Sequence, residues 1–401
     1  MARVLKEGWE VKKLGEVCKI VGGGTPSKKK EEYYNGNILW ATVRDMKVET
    51  ITDTEHKITQ DAIKNSSTNI IPKDNIIIAT RVGLGKVCKL QYDTAINQDL
   101  KGIIPLDSKK ISIEFLFRWF TSISEKIISE GTGATVQGVK LTFINSLSIF
   151  IPPLQEQERI VAILDEAFGA IEKAKANAQL NLKNAKELFE SYLQSIFKNK
   201  GDDWEEKKWG ELCHFVRGPF GGSLKKSMFK DEGYVVYEQK HAIHDHFNQI
   251  RYFIDEDKFT EMKRFEVKPN DIIMSCSGSI GKVAIIPENI PRGIINQALL
   301  KLTPNKGVFV HFIKHWLRSK IFQDIIFEHS GGAAIPNVPS AKIMKEILIP
   351  FPKFEEQEKI VEKIEAILSQ TKKLESIYEQ KLQDLDELKK SILQKAFNGE
   401  L

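Results

Sequence analysis

The chain says the same thing twice, about 200 residues apart. Trp9 to Gly24 (WEVKKLGEVCKIVGGG) returns as Trp204 to Gly222 (WEEKKWGELCHFVRGPFGG), with three additional residues before the second glycine pair. Pro72 to Val87 (PKDNIIIATRVGLGKV) returns as Pro269 to Val283 (PNDIIMSCSGSIGKV), one residue shorter. Asn97-Gln98 returns as Asn296-Gln297, and Pro152 to Val161 (PPLQEQERIV) returns as Pro350 to Val361 (PFPKFEEQEKIV). A repeat this long is a duplicated domain rather than a solenoid, whose units run about 20 to 50 residues. Two related surfaces on one chain imply a target with two related halves.

The length of 401 residues allows two or three domains, each with its own core. The four cysteines (Cys18, Cys88, Cys213, Cys276) form no CxxC pair and read as reduced core thiols. The N-terminal MARVLKEGWE has no apolar signal core, and no run approaches the roughly 18 apolar residues of a membrane span. A cytoplasmic protein without a membrane partner is the expectation.

Residues 156–198 carry a helical stripe: Ile160, Leu164, Ala167, Ile171, Ala174, Ala178, Leu182, Ala185, Phe189, Tyr192 and Ile196. The steps alternate three and four with one stutter. Pro152-Pro153 blocks helix upstream and Gly201 closes it downstream. A second stripe runs through Ile360, Ile364, Ile367, Leu374, Tyr378, Leu382, Leu385, Leu388, Ile392 and Ala396. Helices this long with one apolar stripe need a partner along their length, and the simplest partner is the other copy. Connectivity then makes them antiparallel, with a globule at each end and a pseudo-two-fold relation.

The segmentation is therefore 1–153 (globule), 154–200 (helix), 201–352 (globule) and 353–401 (helix). The fold class is α/β or α+β, duplicated, with two long antiparallel helices as a coiled-coil-like spacer. Within the globules, segments 75–79, 86–90, 102–105, 146–151 and 271–274 read as strands, and 114–129 and 308–327 as helices. The helical segments carry net charges of 0 and −2 in a chain of net +5, so the globules hold +7. That is where a phosphate-facing surface would need it.

Catalytic patterns are missing. Gly278 to Val283 (GSIGKV) is too short for a phosphate-binding loop and lacks the hydroxyl after the lysine. No GxGxxG follows a first strand, and Pro152-Pro153 lacks the flanking residues of an amino-methyltransferase motif. His241, His244 and His246 have a metal-like spacing, but no fourth ligand is near and the first copy has no equivalent, so a variable polar loop fits better. Four such absences favour a binding protein.

The loops hold residues suited to DNA. Thr25, Ser27, Lys28 and Lys30 follow three glycines, and Arg217, Ser223, Lys225 and Lys226 surround the matching loop; both sets suit phosphate contact. Thr42 and Arg44 fall on one side of an extended segment that also carries Lys47, and Glu238, Gln239 and Lys240 occupy the comparable place in the second copy. Arg and Lys read guanine, Gln reads adenine and Glu accepts from cytosine, so different residues on one scaffold would read different half-sites. Arg81 in one copy and Ser277 and Ser279 in the other follow a repeated strand, and Thr135 and Asn337 lie in late glycine loops.

The pattern W-x-x-K-x-[LW]-G-E, the loop GGGTPSK, the strand leading to GKV and the segment P-x-[LF]-x-E-Q-E-x-I-V together resemble specificity subunits of type I restriction-modification enzymes. The resemblance runs from Trp9 to Phe397. It implies two target-recognition domains that read an asymmetric bipartite site on double-stranded DNA through the major groove. It implies helices that set the unread spacer and dock two modification subunits, which bind S-adenosylmethionine and methylate adenine. Restriction subunits using ATP and magnesium would join them, and this chain would hold no catalytic site, cofactor or metal. The loop GPFGGS departs from GGGTPSK, so contacts do not carry over from one loop to the other. The rival reading is a coiled-coil scaffold whose globules bind proteins.

Overall fold

The computed structural model describes residues 7–133, 138–330 and 336–401. Two compact units divide the chain: residues 1–178 with 380–401, and residues 179–379. Both take in parts of the two long helices, Leu154–Lys198 and Phe354–Phe397.

In unit 1 the described strands are β1 (Glu10–Lys13), β2 (Cys18–Gly22), β3 (Ile38–Ala41), β4 (Thr50–Ile51), β5 (His56–Ile58), β6 (Asn69–Ile71), β7 (Ile76–Ala79), β8 (Val87–Leu90), β9 (Thr94–Ile96), β10 (Leu100–Pro105) and β11 (Ser148–Ile151). One sheet has the order β2-β10-β7-β8-β4 and a second β5-β3-β9-β6, while β1 pairs with β11. β7 is buried on both faces, which is why it reads as an unbroken IIIA run rather than an alternation. One of its faces packs with Ile51, Ile71, Cys88 and Leu100 between the sheets, and the other with Phe115, Trp119 and Ile127 beneath the long helices.

Unit 2 repeats this plan with β12 (Glu205–Lys208), β13 (Cys213–Arg217), β14 (Tyr234–Tyr237), β15 (Phe253–Ile254), β16 (Ile272–Ser275), β17 (Val283–Ile285), β18 (Gly293–Ile295), β19 (Leu299–Pro304) and β20 (Leu348–Phe351). The orders are β13-β19-β16-β17, β15-β14-β18 and β12-β20.

Two expected helices are each broken in two. Segment 114–129 is Ile113–Ser122 followed by Ser124–Ser129, and segment 308–327 is Val310–Arg318 followed by Lys320–Glu328. At Ser319 the backbone turns extended (φ −61°, ψ 147°) and the hydroxyl caps the Phe322 N–H. Apolar periodicity passes through such a break because serine can begin a helix as readily as continue one.

The long helices pair antiparallel inside each unit. In unit 1 Glu172 pairs with Lys389 (2.9 Å) and Lys175 with Asp386 (2.8 Å), one number rising as the other falls. Ile160, Leu164 and Phe168 join Leu393, Ala396 and Phe397 in one core. In unit 2 Leu193 and Phe197 share a core with Ile360, Val361 and Ile364. Each fully buried leucine, isoleucine, valine or phenylalanine among them stabilises by about 1.5–3 kcal/mol. The buried line departs from the expected stripe in places: Leu193 and Phe197 are buried ahead of Tyr192 and Ile196, Leu374 and Leu388 are exposed, and Thr371 is buried. Thr371 sits in an apolar seam because its hydroxyl bonds the Ile367 and Leu368 carbonyls (both 3.0 Å).

The EQE motif acts as a clamp. The Gln157 amide is fully buried; its oxygen accepts from Ser112 N–H (2.9 Å) and its nitrogen donates to the Lys110 and Pro152 carbonyls (both 2.8 Å). Gln357 repeats this with Phe309 N–H (2.8 Å) and the Pro352 (2.9 Å) and Gly307 (3.4 Å) carbonyls. The start of each long helix is thereby tied to the segment that opens the helix beside the sheet.

Candidate nucleic-acid interface

Strand ends gather the loops. β10 runs against both β2 and β7, so its start faces their ends: Lys101 lies opposite Gly22 and Leu100 opposite Ala79. β3 and β9 run parallel and finish together at Ala41 and Ile96. The loops after β2, β3, β7 and β9 therefore emerge at one edge of unit 1.

Asn97-Gln98 is the hub of that edge. Asn97 N–H donates to the Ala41 carbonyl (3.0 Å), and the Asn97 side chain accepts from Asp99 N–H (3.1 Å). Gly24 N–H reaches the Ile96 carbonyl (3.0 Å), and Thr80 N–H the Asp99 carbonyl (2.9 Å). A Cβ on Gly23 would lie 2.0 Å from the Asn97 carbonyl oxygen, so only glycine fits there. In unit 2 Asn296 N–H donates to the Tyr237 carbonyl (3.0 Å), and its side chain accepts from Ala298 N–H (3.0 Å). Cys276 N–H reaches the Ala298 carbonyl (2.9 Å), and a Cβ on Gly218 would lie 1.9 Å from the Asn296 oxygen. The turn that begins at the repeated asparagine thus braces the same three loops in both copies.

Within unit 1, Thr25 donates its hydroxyl to Gln98. Ser27, Lys28 and Lys30 are exposed on the same loop, and Lys30 lies over the Tyr33 ring, 4.9 Å from its centre. The Tyr33 hydroxyl accepts from Lys30 and holds that ammonium's pKa above its ordinary value. Arg81 reaches Asp99 (3.6 Å) with half its side chain exposed, and it bridges Gly138 of the late loop. Thr135 lies outside the described residues.

The segment carrying Thr42, Arg44 and Lys47 is not extended. β3 stops at Ala41 and a turn follows, because Asp45 accepts from both the N–H (2.7 Å) and the hydroxyl (3.0 Å) of Thr42. Alternation of side chains does not apply in a turn. Arg44 is left 76% exposed, 3.5 Å from Glu55, and Lys47 is exposed as well. Thr42 is spent on the turn itself.

The matching segment of unit 2 is a helix, Gln239–His244, with Glu238 at its N-cap. Burial disfavours the Glu238 carboxylate, but Arg251 (2.7 Å) and Lys240 (3.5 Å) outweigh that and hold its pKa below the usual value. Gln239 exchanges two hydrogen bonds with Ser277, donating to its carbonyl (2.6 Å) and accepting from its N–H (3.2 Å). Lys240 is half-buried beside Glu238, while Arg217, Lys225 and Lys226 are exposed and Ser223 is partly so. Ser279 is exposed, and Ser277 bridges Asn337 as Arg81 bridges Gly138.

Two further residues enter this edge. Arg251 faces outward from Glu238 with 60% of its side chain exposed, and no motif signals it. Half-buried Lys101 donates to the Gln98 carbonyl (3.1 Å), and its desolvation lowers its pKa; its position three residues after the repeated Gln98 was the available signal.

The histidines form no centre. His241 is buried, stacked on Phe247, with Nδ1 accepting from Glu238 N–H (2.8 Å) and Nε2 donating to the Gln249 carbonyl (3.2 Å). Its burial lowers the imidazole pKa. Among the described residues no group of three or more His, Cys, Asp or Glu is placed to hold a metal. The four thiols are free and buried, with burial pushing each to about 12, which suits core packing and not nucleophilic chemistry. No helix among the described residues is long and apolar enough to cross a membrane.

A sheet-end cluster of basic and polar loops, built twice on one scaffold with long helices, defines a duplicated loop-borne recognition protein. The chain belongs to the family of the type I restriction modification DNA specificity domain, whose profile matches residues 6–182 and 201–384. It is similar to the type I restriction enzyme MjaIX specificity subunit of Methanocaldococcus jannaschii, at 26% identity over 373 residues, covering 86% of this chain and 84% of that one. Over 169 residues, 40% of this chain and 41% of the other, it is 37% identical to the EcoR124I/EcoR124II specificity subunit of Escherichia coli. Its fold is similar to that of a solved chain from a type I R-M system (TM-score 0.78, 20% identity, covering 99% of this chain and 100% of that one). It is also similar to that of the HsdS subunit from Thermoanaerobacter tengcongensis (TM-score 0.68, 19% identity, 99% and 98% covered).

Proposed function

We propose that this chain is the DNA sequence-recognition subunit of a type I restriction-modification system. The observation that carries the reading is the repeated edge: one asparagine turn braces the same loops in both units, while the side chains on those loops differ. A conserved support with variable readers is what two unlike half-sites require. Exposed Arg44, Lys47, Arg81, Arg217, Lys225, Lys226 and Arg251 supply the positive charge that double-stranded DNA needs. Thr25, Ser27, Lys28, Lys30, Ser279 and Asn337 add polar contacts from neighbouring loops.

On this reading the chain performs no chemistry itself. Modification subunits carrying S-adenosylmethionine methylate adenine at the site it selects, and restriction subunits using ATP and magnesium join them. The number of residues in the long helices sets the unread spacer. The test is a four-residue insertion between Ala178 and Leu182, followed by sequencing of methylated adenines. A longer spacer between unchanged half-sites is expected. An unchanged site would remove the helices from spacing.

A further inference from the structure

Phe220 stands at the tip of the unit 2 glycine loop with 91% of its surface exposed. The next most exposed large apolar residue among those described, Leu106, reaches 63%. A phenylalanine so placed contributes nothing to its own core.

The loop presents this ring rather than letting it hang. Gly218 is pressed against the Asn296 carbonyl and donates its N–H to the Leu299 carbonyl (2.9 Å). Pro219 is buried, and its ring fixes the backbone entering Phe220. Ser223 N–H then returns to the Phe220 carbonyl (2.8 Å), closing a short 3-10 turn over Gly221–Ser223. A Cβ on Gly221 or Gly222 would meet nothing within 4 Å, so the space beside the ring is open. Matching Gly218 to Gly23 puts Phe220 where unit 1 has Thr25, which is tied down to Gln98.

The surroundings fit nucleic acid. Arg217 at the end of β13 and Lys225 and Lys226 just past the turn are exposed on either side of it. No carboxylate occurs between Glu211 and Asp231. An aromatic ring raised from a basic loop meets phosphates with its flanks and something apolar with its tip. In the major groove the apolar feature of a base edge is the thymine 5-methyl group.

We propose that Phe220 makes an apolar contact with a thymine methyl in the half-site read by unit 2, and so selects an A·T pair at that position. This rests on the DNA-recognition reading above and adds a residue and a base to it. The experiment uses the full chain with its modification subunits and duplexes of the mapped site, thymine being replaced by deoxyuracil one position at a time. The wild-type complex should lose about fourfold in methylation kcat/KM at one position of one half-site, the scale of one buried methyl. Phe220→Ala should lose a similar factor on the thymine duplex and be indifferent to uracil there, and Phe220→Leu should keep part of the discrimination. Exposure of the ring leaves both variants with wild-type Tm. A Phe220→Ala complex that keeps the wild-type thymine-to-uracil ratio, or weakens equally on all DNA, overturns the proposal and leaves the recognition reading standing. A wild-type complex that methylates without sequence preference brings down the recognition reading as well.

Discussion

The two units share their supports and differ in what they hold up. In both, an asparagine turn joins two sheets, a glycine is pressed on that turn, and a buried glutamine locks the start of a long helix. After β3 and β14 the paths separate. Unit 1 makes a turn at Thr42–Lys47 and leaves Arg44 exposed beside Glu55; unit 2 makes a helix, buries Glu238 and pushes Arg251 outward. Unit 1 ties down Thr25; unit 2 raises Phe220. Duplication preserved the parts that carry backbone hydrogen bonds and released the side chains that face solvent.

The sharpest test of the shared support is glycine. Gly23→Val and Gly218→Val force a side chain into a backbone carbonyl, and each should cost about 4 kcal/mol or more in its own unit. Thermal unfolding checks this; a loss below about 1 kcal/mol would mean the turn can move aside.

The glutamine clamps come next. Gln157→Leu leaves Ser112 N–H and two carbonyls without their partner and should cost about 2–3 kcal/mol. Gln357→Leu should cost less, because one of its three bonds is long at 3.4 Å. Equal losses in denaturant titrations would dissolve that distinction.

A smaller asymmetry lies in two arginines on the helices beside the sheets, Arg118 in unit 1 and Arg318 in unit 2. Arg118, buried over Phe117 and Phe168, joins Asp165 of the first long helix (2.7 Å) to Glu49 (3.0 Å). The Arg318 side chain is 39% exposed and, among the described residues, reaches Asp245 (3.4 Å). Arg118→Met should destabilise by about 2 kcal/mol, since the guanidinium is buried while its carboxylates can still be hydrated. Arg318→Met should cost under about 1 kcal/mol. Comparable shifts in Tm would show that burial does not separate them.

The smallest effect on stability, and the one confined to reading, is Arg44→Ala. It should leave Tm within about 0.5 kcal/mol of wild type and relax base choice at one half-site by about 1–3 kcal/mol. Weakening by an equal factor on every sequence would reassign Arg44 to phosphate.

Much of the scaffold was legible in the sequence because it obeys periodicity. The stripe Ile160-Leu164-Ile171 and the run Ile76–Ala79 announce a long helix and a strand buried on both faces. Capping was harder to see: Ser319 sits inside an apolar pattern, and only its extended backbone shows that one helix ends there. Thr371 escaped because a polar side chain can satisfy itself on its own helix. The candidate interface was legible as loops but not as geometry. Whether Thr42–Lys47 is a strand or a turn depends on Asp45 folding back on Thr42. Whether Gln239 is available depends on Ser277, 38 residues away. Arg251 belongs to the edge only through its pairing with a buried carboxylate.

Mapping of methylated adenines in DNA modified by the chain with its modification subunits bears most directly on two-headed reading. Two short blocks of different sequence, separated by positions of no preference, are expected, since the two edges carry different side chains. A single uninterrupted block, or two identical blocks in palindrome, would contradict it.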